Sequence, residues 1–275
     1  MATAPLTVEL ANPEATVRFA EDVSLALQPG DCLCLSGDLG AGKSTFARAL
    51  IRAIADDEEL EAPSPTFTLV QSYELRLPVA HMDLYRLGSP DELDELGLDD
   101  ALGEGTALIE WPEKALDLLP EDRVMIRFDG IGDSRTLAIS GPGAFMARLA
   151  RSRAARAFLE ANLQGDVVRR HLQGDASSRT YETIRPQGRD PLILMHAPRK
   201  PDGPPVRDGL PYSQIAHLAE DVVPFVAIAG WLRAQGFAAP EIPGQDLDQG
   251  FLLVENLGTE GILDHDGKPD PERYG

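Results

Sequence analysis

The chain of 275 residues is 43% hydrophobic and 25% charged, with a mean hydropathy of −0.17, which is typical of a soluble globular protein and excludes a coiled coil or a wholly disordered chain. Its length predicts two compact domains or one enlarged domain. No apolar run approaches the roughly 20 residues that a membrane-spanning helix needs, and the first residues lack the basic flank of a signal peptide. We therefore expect a cytoplasmic protein with no membrane segment.

The negative charge of the chain is large and unevenly divided. The net charge is −20, and residues 1–150 carry 27 acidic and 11 basic side chains, a net charge of −16, which leaves −4 for residues 151–275. A strongly negative surface opposes direct binding to the phosphate backbone of a nucleic acid. The difference between the two halves favours two modules.

Alternating strands and helices are predicted along the first half. An apolar run over 31–35 predicts a buried strand, and apolar residues at helical spacing predict a helix over 44–54. A short acidic helix is predicted over 91–98. Further strands are predicted over 68–73, 79–83, 107–109, 124–128 and 136–139, the last two joined by a hairpin turn at 129–133.

The two cysteines, Cys32 and Cys34, fall in the first of these strands. We expect them to point to opposite faces of the strand, as buried core thiols and not as a disulfide.

A phosphate-binding loop is indicated between the first predicted strand and the helix that follows it. The residues from Gly37 to Ser44 read G-D-L-G-A-G-K-S and match the pattern G-x-x-x-x-G-K-[ST] in full. The glycines let backbone N–H groups turn toward a phosphate, and the helix adds its positive dipole end. In this pattern Lys43 would neutralise the β- and γ-phosphate oxygens and Ser44 would offer its hydroxyl to Mg²⁺.

Two acidic residues at the ends of apolar runs are candidate partners of this loop. Asp83 and Glu110 each follow a predicted strand, and the carboxyl ends of parallel strands meet beside such a loop. Mg²⁺ prefers oxygen ligands, so we predict that both carboxylates function at the site. For His81, two residues before Asp83, we predict a hydrogen-bonded structural role. The proline-rich segment 63–68 is either a switch that senses the γ-phosphate or a rigid turn, and its residues leave both hypotheses open.

The second half begins, by prediction, after the glycines and proline at 141–143. A helix over 144–163 is interpreted as the linker or first element of this module. The remaining predicted elements are a turn at 173–178, strands over 180–184 and 191–195, a proline-rich loop over 198–211, a helix over 223–235 and a strand over 251–255. We therefore predict an α/β P-loop NTPase domain with a central sheet and flanking helices, followed by a small α+β module.

Four motifs of the first half resemble the TsaE family, the ATPase subunit of bacterial tRNA threonylcarbamoyladenosine synthesis. They occur in the order of the family and span residues 36–46, 64–70, 81–87 and 109–112. The resemblance implies an ATPase that acts with TsaD-like and TsaB-like proteins, in which TsaD transfers a threonylcarbamoyl group to the adenosine next to the anticodon. Contact with tRNA would then be only indirect.

The same resemblance implies site residues and the cofactors ATP and Mg²⁺. Asp83, Glu110 and Lys43 would form the catalytic set, and Ser44, Glu110 and Asp83 would hold the metal. Ser44 stands where the family often has threonine. Thr66 would belong to the switch segment, and Arg135 would reach the nucleotide from the final hairpin. The implied nucleotide-binding residues are Leu39, Gly40, Ala41, Gly42, Lys43, Ser44, Thr45, Thr66, Trp111 and Arg135.

Residues 173–181, 192–198 and 251–258 resemble the N-lobe of aminoglycoside-phosphotransferase-type kinases, in particular sugar 1-kinases acting on N-acetylmuramate. The resemblance implies that residues 174–178 cover ATP phosphates and that residues 255–257 form the adenine hinge. The family pattern is incomplete, because the position of Met195-His196 has no lysine although Lys200 is near, the helix 223–235 has no glutamate, and His265-Asp266 lacks the catalytic-loop spacing. We expect a TsaE-like domain over 1–145 and a truncated, catalytically inactive N-lobe over 146–275.

Two other interpretations remain at this point. A P-loop small-molecule kinase also joins such a loop to acidic strand ends, and the second half could be a scaffold or a fragment of a kinase for N-acetylmuramate or N-acetylglucosamine.

Overall fold

The computed structural model describes residues 5–130, 132–174, 179–199, 203–216, 219, 221–258 and 268. The chain divides into two compact units. The first comprises the chain up to Ala161 together with Val167–His171, and the second comprises Asn162–Asp166 and Leu172–Gly275. The division lies further along the chain than residue 145, so most of the helix that was expected to open the second module belongs to the first unit.

The first unit is built on a seven-stranded sheet with the order β1-β7-β6-β2-β5-β4-β3. Its elements are β1 (Leu6–Leu10), α1 (Pro13–Ala26), β2 (Cys32–Ser36), α2 (Lys43–Ala55), β3 (Val70–Tyr73), β4 (Val79–Asp83), α3 (Leu98–Glu104), β5 (Thr106–Glu110), β6 (Val124–Asp129), β7 (Arg135–Ser140) and α4 (Gly143–Asn162). Short 3-10 helices span Leu84–Arg86, Pro90–Leu96, Pro112–Lys114 and Leu116–Leu118. This is the predicted α/β architecture with a central sheet.

The centre of the sheet is parallel and its edges are antiparallel. β2 pairs in parallel with β5 and β6, and β4 pairs in parallel with β5, whereas β1–β7, β6–β7 and β3–β4 are antiparallel. The register sets Asp83 of β4 directly beside Glu110 of β5. The loop between β2 and α2 starts at the same edge of the sheet at which β4 and β5 end. The glycine-rich loop and both carboxylates therefore lie close together.

The sheet separates two apolar clusters, one on each face, and the residues of β2 alternate between them. Leu33 and Leu35 pack in the cluster with Phe46 of α2, whereas Cys32 and Cys34 both pack in the opposite cluster with Met82. The prediction of opposite faces was wrong, because side chains alternate along a strand and residues two apart share a face. Both thiols are buried and free, as expected.

Most predicted strands of the first half are confirmed at their positions, whereas β1 was not predicted and two helical regions differ. The predicted acidic helix over 91–98 is a 3-10 helix from Pro90 to Leu96 followed by α3, since Gly97 takes a left-handed conformation (φ 73°) that interrupts the helix. α1 was not predicted, and its inward face includes the acidic residues Glu21 and Asp22.

These two buried acids are neutralised by three arginines from later in the first unit. Asp22 accepts hydrogen bonds from Arg156 Nε and Arg169 Nη1, each at 2.6 Å. Glu21 accepts from Arg156 Nη2 at 2.9 Å and from Arg170 Nη1 at 2.5 Å. Arg156 lies on α4, and the other two arginines lie on the strand β8 (Val167–Leu172). The arginines within residues 156–170 therefore supply the positive charge that allows Glu21 and Asp22 of α1 to be buried.

The second unit is a small antiparallel sheet with short helices. β10 pairs with β9 and β14, and β14 also pairs with β13. The remaining elements are β9 (Thr180–Pro186), β10 (Leu192–His196), β11 (Pro205–Arg207), β12 (Leu210–Pro211), α5 (Tyr212–Ile215), α6 (Val223–Ala234), β13 (Gly244–Asp246) and β14 (Phe251–Glu255). Its core includes Met195, Val222, Leu252 and Val254. None of the helices within the described residues is long and apolar enough to cross a membrane.

Candidate functional site

The glycine-rich loop between β2 and α2 depends on backbone conformations that only glycine adopts easily. Gly37, Gly40 and Gly42 have φ of 134°, 80° and 107°. A Cβ atom on Gly37 would also lie 2.5 Å from the carbonyl oxygen of Phe128 on β6. The first glycine of the motif is therefore required both by the turn and by the close approach of the neighbouring strand.

We expect Gly37→Ala to lower the free energy of unfolding by about 3 kcal/mol, because it combines a strained φ with a backbone clash. Gly40→Ala is the matched control, since a Cβ there meets nothing within 4 Å, and should cost only about 1 kcal/mol. Urea denaturation of both variants measures the difference. Equal losses at the two positions would show that the approach of Phe128 does not constrain the loop.

Lys43 is held inside the loop. Its ammonium group donates hydrogen bonds to the carbonyls of Gly37 (2.7 Å) and Asp38 (2.9 Å) and lies 3.7 Å from the centre of a ring of Trp111. Burial lowers the pKa of Lys43 below its usual value, and the nearby Glu110 carboxylate opposes that effect. The ammonium is therefore poorly hydrated, and an anion reaching the loop would meet a concentrated positive charge.

Glu110 links the loop to the sheet. Ser44 Oγ donates to Glu110 Oε2 at 2.7 Å, and His81 Nε2 donates to Glu110 Oε1 at 2.9 Å. His81 and Glu110 are both buried. The hydrogen bond expected of His81 is present, but the sequence did not indicate that its partner is Glu110. The pairing depends on the register of β4 and β5, which sequence analysis does not supply.

Asp83 is tied to the proline-rich segment that precedes β3. Its Oδ2 accepts hydrogen bonds from Ser64 Oγ (2.8 Å) and Thr66 Oγ1 (2.6 Å), and its Oδ1 accepts from the backbone N–H of Tyr85 (3.0 Å). Ser64 was not among the predicted site residues, although its position two residues before Thr66 in S-P-T was the available signal. The segment is thus anchored to an acidic residue of the site by two hydroxyls.

Arg135 and Trp111 border the loop on two sides. Arg135 donates from Nε to the carbonyl of Ala41 (2.5 Å), from Nη2 to that of Gly40 (3.4 Å), and also to that of Gly132. Trp111 takes a left-handed conformation at φ 59° directly after β5, and its ring lies 5.0 Å from that of Tyr85. Such conformations are strained for a bulky residue and are typical of functional sites.

These side chains surround one cavity of about 300 Å³. Its lining includes nine of the ten predicted nucleotide-binding residues together with Asp83 and Glu110; Ala41 is the exception, and its carbonyl is the group that Arg135 binds. The full lining is Leu39, Gly40, Gly42, Lys43, Ser44, Thr45, Ser64, Thr66, Asp83, Tyr85, Glu110, Trp111 and Arg135.

A strand, a glycine-rich loop and a helix, with carboxylates from two adjacent strand ends, define the first unit as a P-loop NTPase domain. The family "Threonylcarbamoyl adenosine biosynthesis protein TsaE" matches residues 10–137. The chain therefore belongs to the TsaE family, as relatives with the name "tRNA threonylcarbamoyladenosine biosynthesis protein TsaE" also indicate. One, from Rickettsia bellii, is 39% identical over 129 residues, which cover 46% of this chain and 89% of that relative.

Relatives with the same name also come from other bacteria. The protein from Bacillus subtilis is 40% identical over 124 residues (44% of this chain, 76% of the relative), and that from Haemophilus influenzae is 38% identical over 125 residues (44% and 78%). The solved structure of Bacillus subtilis YdiB matches with 29% identity and a TM-score of 0.48, covering 57% of this chain and 98% of that one.

Proposed function

We propose that this chain is the ATP-binding and ATP-hydrolysing subunit that supports threonylcarbamoyladenosine modification of the tRNA adenosine next to the anticodon, acting with TsaD-like and TsaB-like proteins. The observation that carries the proposal is the contact of Ser44 with Glu110 in a glycine-rich loop that also encloses Lys43. Relatives that are 35–40% identical carry a name from this pathway.

The residues of the site fit a bound Mg²⁺. Ser44, Glu110 and Asp83 offer only oxygen atoms, and Mg²⁺ is usually held by one or two carboxylates together with phosphates and water. When bound, the ion would neutralise charge on the phosphate oxygens. His81 fixes the orientation of the Glu110 carboxylate, and Ser64 and Thr66 fix that of Asp83, so the ligands are arranged before the ion arrives.

Each side chain then has a distinct task in ATP hydrolysis. Lys43 and the N–H groups of the loop bind the β- and γ-phosphates, and Arg135 keeps the loop in shape through its carbonyls. Asp83 would help to hold the metal and to orient the attacking water. The two hydroxyls that donate to Asp83 belong to the segment 63–68. A change in the contacts of Asp83 during ATP hydrolysis would alter these hydrogen bonds, which supports the hypothesis that the segment is a switch.

We expect His81→Leu to lower ATPase activity by about 10- to 100-fold and to raise the Mg²⁺ concentration needed for half-maximal activity, because the side chain that orients a metal ligand is lost. His81→Gln retains an N–H donor and should recover most of the activity. Mg²⁺ titration of both variants, with thermal unfolding to check the fold, measures the effect. An unchanged Mg²⁺ requirement in His81→Leu would contradict this role.

The surface charge supports an indirect connection with tRNA in the cytoplasm. A half with a net charge of −16 repels the phosphate backbone, so partner proteins would hold the tRNA. Reconstitution with TsaD-like and TsaB-like proteins tests the function: this chain with ATP should permit repeated turnover of threonylcarbamoyladenosine. Equal multiple-turnover product without the chain would reject the proposal, and transfer of labelled γ-phosphate to a sugar or nucleoside would instead favour a small-molecule kinase.

We also propose that the second module, expected over 146–275 but found in the structure to begin after most of α4, is part of an aminoglycoside-phosphotransferase-like N-lobe without kinase activity. The support is the antiparallel order β9-β10-β14, with α6 between β10 and β14 in the chain. Residues 175–178 of the phosphate-covering turn, Lys200 and His265-Asp266 lie outside the described residues. Titration of a fluorescent ATP analogue into residues 162–275 tests the proposal, because an intact adenine hinge should bind it and a collapsed remnant should not.

A further inference from the structure

The strand β3 forms one edge of the seven-stranded sheet. Within the described residues, β4 is the strand that pairs with it, and its other side faces outward. The N–H of Asp83 donates to the carbonyl of Leu69 at 2.9 Å. Because hydrogen-bonded and non-hydrogen-bonded pairs alternate in an antiparallel ladder, the N–H and C=O groups of Val70 and Ser72 point away from β4. β3 therefore presents backbone groups that can pair with a further strand.

A groove of about 660 Å³ lies beside this edge strand and is lined by residues of β3, β4 and α3. Val70 and Ser72 line one side, and residues of α3, including Asp99, Asp100 and Glu104, line another. The cavity is larger than the one at the glycine-rich loop and shares no lining residue with it. Val70 and Ser72 therefore belong both to the outward backbone edge of β3 and to the lining of this groove.

The rim of this groove is acidic. Glu74, Asp99, Asp100 and Glu104 are all exposed. Within the described residues, none of the four forms an ion pair with a basic side chain. Concentrated negative charge without counterions attracts cationic ligands and repels anionic ones. The rim thus selects against nucleic acid and against a second copy of this acidic edge.

We propose that the β3 groove binds an extended, lysine- or arginine-rich segment of a partner protein, which joins the sheet as an additional strand beside β3. Backbone pairing with Val70 and Ser72 would supply affinity, as in other cases of strand addition to a sheet edge. Every second side chain of the segment would face α3 and meet the carboxylates of its acidic rim. This site is separate from the proposed ATPase site and adds a docking surface to it.

A labelled peptide tests the charge preference. The probe is an N-acetylated, fluorescein-labelled peptide of about nine residues in which lysine alternates with threonine and valine, a length typical of one strand. In fluorescence polarisation with the full chain, we expect it to bind at least about tenfold more tightly than the same peptide with glutamate for lysine. Substituting Asp99→Asn, Asp100→Asn and Glu104→Gln together should remove most of this difference. Equal binding of the two peptides, or no binding of either, would overturn the proposal.

Substitutions at Ser72 test the backbone pairing. Ser72→Pro removes the outward N–H and leaves the hydrogen bonds to β4, so it should weaken binding of the basic peptide by about tenfold, while Ser72→Ala should bind like the unchanged chain. Amide hydrogen exchange at Ser72 should slow when the peptide is added. ATP hydrolysis should be the same in Ser72→Pro and Ser72→Ala, which separates this result from a failure of the ATPase proposal. Equal peptide binding by these two variants would overturn strand addition.

Discussion

Lys43→Ala should reduce the rate of ATP hydrolysis by about a hundredfold to a thousandfold, the usual effect of removing one preorganised charge that stabilises a transition state. The Lys43 ammonium is held by the carbonyls of Gly37 and Asp38 at 2.7 and 2.9 Å, so its position is set before any nucleotide binds. Alanine keeps the glycines of the loop and removes the charge together with its two hydrogen bonds to loop carbonyls. The measurement is phosphate release at saturating ATP and Mg²⁺.

Two further variants make the result specific. Lys114→Ala removes an exposed lysine three residues after Trp111 and should hydrolyse ATP at close to the unchanged rate. Lys43→Arg keeps a positive charge, but a planar guanidinium cannot reproduce the contacts of a compact ammonium with the two loop carbonyls, so it should also be impaired. Hydrolysis by Lys43→Ala at the same rate as Lys114→Ala would contradict the role of Lys43 and the ATPase proposal with it.

Asp22→Ala should lower the free energy of unfolding by about 3–5 kcal/mol, because it removes the carboxylate that accepts a hydrogen bond from the buried Arg169 guanidinium. Asp22 is the acceptor for Arg169, which is 0% exposed, and for Arg156 on α4. Chemical denaturation monitored by circular dichroism measures the loss.

An exposed ion pair of the same unit is the control. Asp129 accepts from Arg127 at 2.7 Å on the surface, with both side chains more than half exposed. Asp129→Ala should therefore cost less than about 1 kcal/mol. If the two substitutions cost the same, the three arginines do not stabilise the fold through these buried acids.

The parts of the site that are local in sequence could be predicted, and those that depend on strand register could not. The loop from Gly37 to Ser44 is continuous, so its glycines and Lys43 identify it directly. Asp83 and Glu110 are recognisable because each ends an apolar run. The hydrogen bond from His81 to Glu110 joins residues 29 positions apart. It exists because β4 and β5 are neighbours in one particular register.

The same distinction explains the elements of the fold that were missed. α1 places Glu21 and Asp22 on its inward face, which a hydrophobic pattern interprets as a solvent-exposed surface. The arginines that make this burial possible lie 134 to 149 residues away. The helix α4 was interpreted as a linker or as the first element of the second module for a related reason. The glycines and proline at 141–143 suggest a boundary, although Phe145 and Leu149 pack in the core of the first unit.

The three arginines also mean that the region shared with the family and the compact first unit end at different residues. The match to the family stops at residue 137, whereas Arg156, Arg169 and Arg170 lie beyond it. A chain shortened to the family region would lose α4 and β8, and with them the three arginines that bind Glu21 and Asp22. Replacing this region by that of a single-domain relative would therefore require Glu21, Asp22 and the three arginines to be exchanged as one set.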